Sequence, residues 1–311
     1  MPRLPVPLLS ATVAASLTGC APPLSNDALR ADAAFLSALP DRSLHTAPIR
    51  EVTENGARGG ELPRLLELAV DLGSDANGYL DTMLSVVEQA RRTPPSARAD
   101  GARTWGPLVV QEVVEVQLDM RQEGARYAWE ITATPVGAND WQVVATGEHL
   151  AGIDIARGEG GFLLDLDTLA ELDPRERNGG SLLLDYDLRE GRTVFVDLDG
   201  VESDQPVYGP GGFWWSRSPD AEIRFEYDAL TDLDADGVEE SVEVVTRVAP
   251  DRAGRGDAHV TTPATSGQWW VGQCWSSSLE ETWIDDNLGR LTASGDPASC
   301  VYDERATIEH L

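Results

Sequence analysis

The chain contains no lysine: all 24 of its basic residues are arginine, set against 53 acidic residues. That gap excludes several chemistries, because a Schiff base, a P-loop phosphate clamp and a Ser-Lys dyad each need an amine that arginine cannot replace. Histidine is scarce as well. His45, His149, His259 and His310 are scattered without ligand spacing, and no H-E-x-x-H occurs, so zinc has no local support. There is no G-x-S-x-G elbow and no G-x-G-x-x-G opening a helix after a strand. A nucleophilic triad would need a serine paired with one of the four histidines, and nothing selects which. With a net charge of −29 the surface repels phosphate backbones, so nucleic acid is an unfit partner. The acidity itself is most simply a solubilising surface, an adaptation to salt, or a codon bias towards arginine.

What is present begins with a leader. Arg3 and the terminal amine precede an apolar run over residues 8–17, far too short to span a bilayer. The run ends in Leu17-Thr18-Gly19-Cys20, which resembles the lipobox of bacterial lipoproteins. The resemblance implies a signal peptide over residues 1–19, cleavage after Gly19, and diacylglycerol on Cys20. Each buried acyl methylene adds about 0.8 kcal/mol, so several chains anchor stably. The expected partner is therefore a membrane, held through the lipid on Cys20, and the expected place is the bacterial cell envelope. Ala21 follows the cysteine instead of Asp, which by analogy with enterobacterial sorting favours the outer membrane.

Residues 20–60 are rich in Ala, Pro, Gly and polar side chains with little periodicity, which suits a flexible tether. Residues 61–311 form the expected single, mainly β domain with N-terminal helices. With Cys20 acylated, Cys274 and Cys300 remain, and in an oxidising envelope an even pair reads as one disulfide. In the chain-entropy model that link stabilises by about 3 kcal/mol. A metal or redox pair is the alternative, and no C-x-x-C supports it.

The body opens with a helical pattern. Leu65, Leu68, Leu72, Ala76, Tyr79, Met83, Val87 and Ala90 recur at threes and fours, with Gly73-Ser74-Asp75 read as a break and Asp75 as a cap; Pro94-Pro95 stops the pattern. After Trp105 the period becomes two. Val110, Val114, Val116, Leu118 and Met120 share one strand face, Tyr127, Trp129, Ile131 and Ala133 another, and Trp141, Val143 and Ala145 a third. Phe162–Leu166, Leu182–Leu188, Thr193–Leu198, Ile223–Tyr227 and Val242–Val248 repeat the alternation. Glu123-Gly124, Gly137 to Asp140 and Glu190-Gly191 supply reversals, and such short links favour antiparallel neighbours. Residues 165–174 read as a short helical excursion. Roughly ten to twelve strands exceed what an open sheet holds flat. The expected fold class is thus α+β, mainly antiparallel β: a curved meander sheet or half-barrel with the N-terminal helical segment packed on it.

One constellation points to a metal. Asp232, Asp234 and Asp236 precede Gly237, with Glu243 at the twelfth position, the spacing by which oxygen ligands encircle calcium. Its flanks read as strands, so a helix-loop-helix hand is not expected, and an acidic hairpin tip is the plainer alternative. A bound calcium would be structural; no other cofactor is implied. Trp269-Trp270, Trp275 and Trp283, with Phe213-Trp214-Trp215 before them, could form sugar platforms beside paired carboxylates, or fill a β core.

Tyr127-Ala-Trp-Glu, Gly160-Gly-Phe-Leu-Leu-Asp-Leu-Asp, the Asp232 to Gly237 turn, Gly272-Gln-Cys274-Trp275 and Gly295-Asp-Pro-Ala-Ser-Cys300 together look like uncharacterised envelope lipoproteins of myxobacteria and related delta-proteobacteria. The resemblance covers most of the region after Trp105 and implies a paired Cys274 and Cys300 more than any reaction. In architecture the chain is also similar to periplasmic lipid-carrier lipoproteins, a fold-level analogy. The expected function is a non-catalytic binding or structural module of the envelope, taking an apolar ligand or an envelope protein. The alternatives are a carbohydrate-active enzyme using paired carboxylates, and a purely structural interaction lipoprotein.

Overall fold

The computed structural model describes residues 25–54, 62–110, 112–173, 179–201, 211–232, 237–262 and 267–311. Four helices come first: α1 (Asn26–Ser37), α2 (Arg42–His45), α3 (Ile49–Glu54) and α4 (Arg64–Arg91). The strands β1 (Ala97–Ala99), β2 (Ala102–Val110), β3 (Val114–Glu123), β4 (Arg126–Pro135), β5 (Gln142–Leu150) and β6 (Glu159–Asp165) follow. Helix α5 (Leu166–Leu172) separates these from β7 (Ser181–Asp187), β8 (Arg192–Asp199), β9 (Gly211–Arg217), β10 (Ile223–Thr231) and β11 (Glu240–Val248). The chain closes with β12 (Gly254–Thr262), β13 (Gly267–Trp275), β14 (Glu281–Asp286), β15 (Ser294–Gly295) and a 3-10 turn at Pro297–Ser299.

All fifteen strands form one antiparallel sheet whose spatial order is the chain order, and the sheet stays open. A meander of this kind needs only hairpins, and the reversals supply them: Gly124 and Gly137 turn with φ of 63° and 80°. The inward faces of β3 and β4 are buried as their alternation requires, Val114, Val116, Leu118 and Met120 against Tyr127, Trp129, Ile131 and Ala133. Val110, expected on the face of β3, instead ends β2. The third expected face is broken: Val143 points to solvent while Val144 and Ala145 are both buried. A bulge opposite Ile131 and Thr132 inserts one residue and flips the parity there.

Helix α4 sets the curvature. Its start touches β12 and β13, where Leu65 N–H donates to Gln273 Oε1 at 2.7 Å. Its far end lies by β2, where Trp105 Nε1 donates to the Thr93 carbonyl at 3.1 Å just past the helix. Eleven strand intervals separate β2 from β13, an arc of about 53 Å at the usual strand spacing, yet the 28 residues of the helix span only about 42 Å. The sheet must therefore arch over the helix. Leu66, Ala69, Leu72, Ala76 and Leu80 are fully buried on the concave side.

Two expectations for this part of the chain are corrected. The stretch 20–60 is not a loose tether across its described part: residues 25–54 carry three helices, and Phe35, Leu39, Ile49 and Val52 join the one apolar core. Caps at Ser25 and Asp41 start the first two of these helices. Asp32 on α1 ties the helices to the sheet through Arg98 at 2.9 Å and Arg103 at 2.6 Å. Nor do Gly73-Ser74-Asp75 break α4, which runs through unbroken. A Cβ on Gly73 would lie 2.6 Å from Ile49 Cγ2, so the glycine lets α3 approach instead of ending a helix. The expected excursion at 165–174 is α5, capped by Asp165 on Thr168 N–H. No helix of the described residues is long and apolar enough to cross a membrane.

Candidate ligand-binding cleft

In a meander every second connection falls at the same end of the sheet. The loop 151–158 after β5, the turn 188–191 after β7 and the turn 218–222 after β9 therefore gather together, and α2 lies against them. Between these elements is a cleft of about 510 Å³, lined by Leu44, Ala156, Leu188 and Pro219 and by four arginines, Arg157, Arg189, Arg192 and Arg217. A smaller pocket of about 140 Å³ adjoins it, sharing Leu44, Ala156 and Leu188 and ending on His45, His149 and Tyr186.

Three of the arginines are paired. Arg189 meets Asp187 at 2.5 Å and Glu159 at 2.7 Å, Arg217 meets Glu51 at 2.9 Å, and Arg157 lies 3.9 Å from Asp154. Arg192 differs. Only 9% of it is exposed, and its Nη1 donates to the Ser43 carbonyl at 2.5 Å while Nε and Nη2 have no partner. Among the described residues no carboxylate lies within ion-pair distance of it. Burial draws its pKa down; the pull of Glu51 opposes this in part, and nearby Arg217 adds a smaller repulsion. Such a charge lacks the compensation that buried ions ordinarily have, and an anion entering the cleft would provide it.

The inner pocket is neutral. His149 Nε2 lies 2.6 Å from the Ile155 carbonyl, which can only accept, so that nitrogen carries the proton. Its Nδ1 then accepts from Tyr186 Oη at 2.9 Å. Burial pushes the Tyr186 phenol upward and the His149 imidazole downward, keeping both uncharged. His45 Nδ1 is engaged by the Asp41 backbone and its Nε2 has no partner. Burial outweighs the pull of Asp41 and, with small repulsions from His149 and Arg192, holds the His45 pKa at about 4. These groups suit hydrogen bonding to a ligand better than proton transfer at neutral pH.

None of these cleft residues was singled out from the sequence, although one signal was there. Arg192, Val194, Val196 and Leu198 share the inward parity of β8, as Leu182, Leu184, Tyr186 and Leu188 do on and just past β7. A charged or polar residue at a core position is the mark of a site or of a satisfied network.

The residues that were singled out lie elsewhere. Cys20 falls outside the described residues. Cys274 and Cys300 are bonded, with Cα atoms 5.4 Å apart. Asp234 and Asp236 also fall outside the described residues, while Asp232 accepts from Gly237 N–H at 2.8 Å. Glu243 does not turn back to that loop. It stays in β11, level with Asp228 and His259, and lies 3.6 Å from His259. That level is four residues along β10 from Asp232, about 13 Å at strand rise. Continuous strands, where a calcium hand would have a helix, keep the twelfth-position carboxylate away. Among the described residues no group of three or more His, Cys, Asp or Glu could hold a metal ion.

The tryptophans divide into two kinds. Trp215 and Trp275 are core, whereas Trp269, Trp270 and Trp283 each carry a guanidinium on one face, from Arg290 at 6.0 Å, Arg305 at 3.7 Å and Arg255 at 5.2 Å. Trp214 stacks with His310 at 3.9 Å. Protein cations thus occupy faces that a sugar platform would need open. No protein-family model, curated protein or solved structure matches this chain.

Proposed function

We propose that this chain is a lipid-anchored protein of the bacterial cell envelope, acting as a non-catalytic binding module whose ligand site is the cleft against α2. The Leu17–Cys20 lipobox pattern supports the address, as does the bond between the two cysteines left after acylation. The concave face of the sheet is not the ligand site in this reading, because α4 packs its buried apolar stripe against it.

The observation that carries the site is Arg192, buried in the cleft wall with two nitrogens unpartnered. An acidic protein that holds one uncompensated guanidinium beside an apolar wall suits a small amphiphile with one anionic head and a short hydrocarbon body. The net charge of −29 opposes approach of an anion at long range, so its association rate should rise with ionic strength.

Calorimetric titration with octyl phosphate, octanoate and octanol tests the site. The two anions should bind saturably and octanol at least about tenfold more weakly, a gap of about 1.4 kcal/mol or more. Arg192→Gln should erase that gap; equal binding of all three probes, or none, would refute the assignment. The address is tested separately by mass spectrometry of native material, where a free Cys20 thiol on a chain keeping Met1 would defeat it.

A further inference from the structure

The convex side of β9–β13 bears a different construction. Beyond the disulfide at Cys300, segment 302–311 crosses this face without pairing as a strand, and side chains of the sheet hold its backbone. Arg255 donates to the carbonyls of Tyr302 and Asp303 at 3.3 and 3.2 Å, Arg247 to that of Glu304 at 2.5 Å, and Arg224 to that of Thr307 at 2.8 Å. The N–H groups go to carboxylates: Ala306 to Asp257 at 2.9 Å, and Glu309 and His310 to Glu226 at 3.2 and 3.0 Å. The receiving groups are prearranged, since Arg255 and Asp257 pair at 2.9 Å, and Arg224 and Glu226 at 2.6 Å, as neighbours on one strand.

A purely structural strap does not need this arrangement. Burying charges costs more than an apolar seam of the same size, and apolar replacement of such pairs is often neutral or stabilising. What the charges supply is recognition of an extended main chain, with donors and acceptors at fixed intervals. The segment contributes little else: Ala306 is its only buried residue, and most of the others are exposed. Three side chains add selectivity. Arg305 lies over Trp270 at 3.7 Å, His310 stacks on Trp214 at 3.9 Å, and Tyr302 lies beneath Arg247 at 4.4 Å.

We propose that the convex face of β9–β13 is a docking site for an extended peptide, with segment 302–311 its resident occupant in cis. The site takes a peptide that places a cation just before a small residue and a ring four positions after it, as Arg305, Ala306 and His310 do. Ala306 is buried and its N–H is held on the Asp257 carboxylate, so a residue larger than alanine has little room at the middle position. Binding in trans requires displacing a tethered competitor, whose effective concentration is of millimolar order.

The probe is a labelled peptide of residues 301–311 added to the full chain. Ala306→Pro combined with His310→Pro removes two of the strap's N–H donors and the stack on Trp214, and alters no residue of the sheet. That variant should bind the probe at least about tenfold tighter than the wild type, by relief of intramolecular competition. A probe carrying Trp in place of Ala306 should not bind. Arg305→Glu, which leaves the backbone intact, should shift the wild type in the same direction by several fold and serves if the proline variant does not fold. No saturable binding of the probe to either variant at millimolar concentration would make the strap purely structural and overturn the proposal.

Discussion

The two faces of the sheet are covered by opposite means. On the concave side α4 presents Leu66, Leu72 and Leu80, all fully buried, with Gly73 admitting α3 at close range. On the convex side a ten-residue segment rests on arginines and carboxylates that bond to its backbone, with Ala306 its only buried residue and most of its other side chains exposed. The first cover gains its stability from area removed from water, about 25 cal/mol per Å². The second gains little from area and depends on hydrogen bonds that water could replace. One cover is therefore integral to the fold, and the other is poised to leave it.

The largest expected effect tests that asymmetry. Leu72→Ala opens a cavity in a filled core and should cost about 2 to 5 kcal/mol in denaturant unfolding. Ile308→Ala, an equally conservative deletion on the strap, should cost less than about 0.5 kcal/mol. Similar losses at both sites would mean that the convex segment is as structural as α4, and the contrast would fail.

The concave cover was legible in the sequence and the convex one was not, for a physical reason. Apolar spacing through Leu65, Leu72 and Val87 announces a buried helical stripe, and the period-two runs after Trp105 announce strands, because burial imposes both periods. A strap held by main-chain contacts imposes no period, so nothing in residues 302–311 marks their position. The same limit hid α1 to α3. Their Ala-rich composition suggested a tether, yet Phe35, Leu39, Ile49 and Val52 suffice to dock short helices once α4 is in place. Strands β9, β12 and β13 were missed because glycines such as Gly212, Gly256 and Gly272 interrupt their alternation. At Gly256 the gap is filled from α4, where an added Cβ would lie 2.7 Å from Leu65 Cβ. In the cleft, the charged residue at a core parity of β8 was visible in the sequence, but only the structure joins it to His45 and His149.

A second expected effect separates the helical cover from the cleft at its margin. His45 belongs to α2, and burial holds its pKa at about 4 in place of 6.5. Between these values the unfolded chain binds a proton that the native chain refuses. Stability from this group is therefore complete above pH 6.5 and declines as pH falls towards about 4, by about 3 kcal/mol in all. Burial moves His149 in the same direction. Chemical denaturation between pH 7.5 and 4.5 should show a steeper loss for the wild type than for His45→Gln. Parallel pH profiles would show that His45 titrates normally and is not sealed beneath the helices.

The smallest effect on stability is also the most discriminating, because its sign is at issue. Arg192 occupies a core position of β8, bonded only to the Ser43 carbonyl of α2. If it were there to fix α2, Arg192→Met would release the helix and lower the unfolding free energy by about 1.5 kcal/mol or more, the usual worth of a hydrogen bond from a charged donor. A guanidinium kept for a ligand predicts the reverse. Removing its uncompensated charge should leave stability unchanged or raised by about 1 kcal/mol, while affinity for octyl phosphate collapses. Urea midpoints and titrations on the same pair of proteins decide between the two, because a residue retained at a cost to the fold must contribute through something other than the fold.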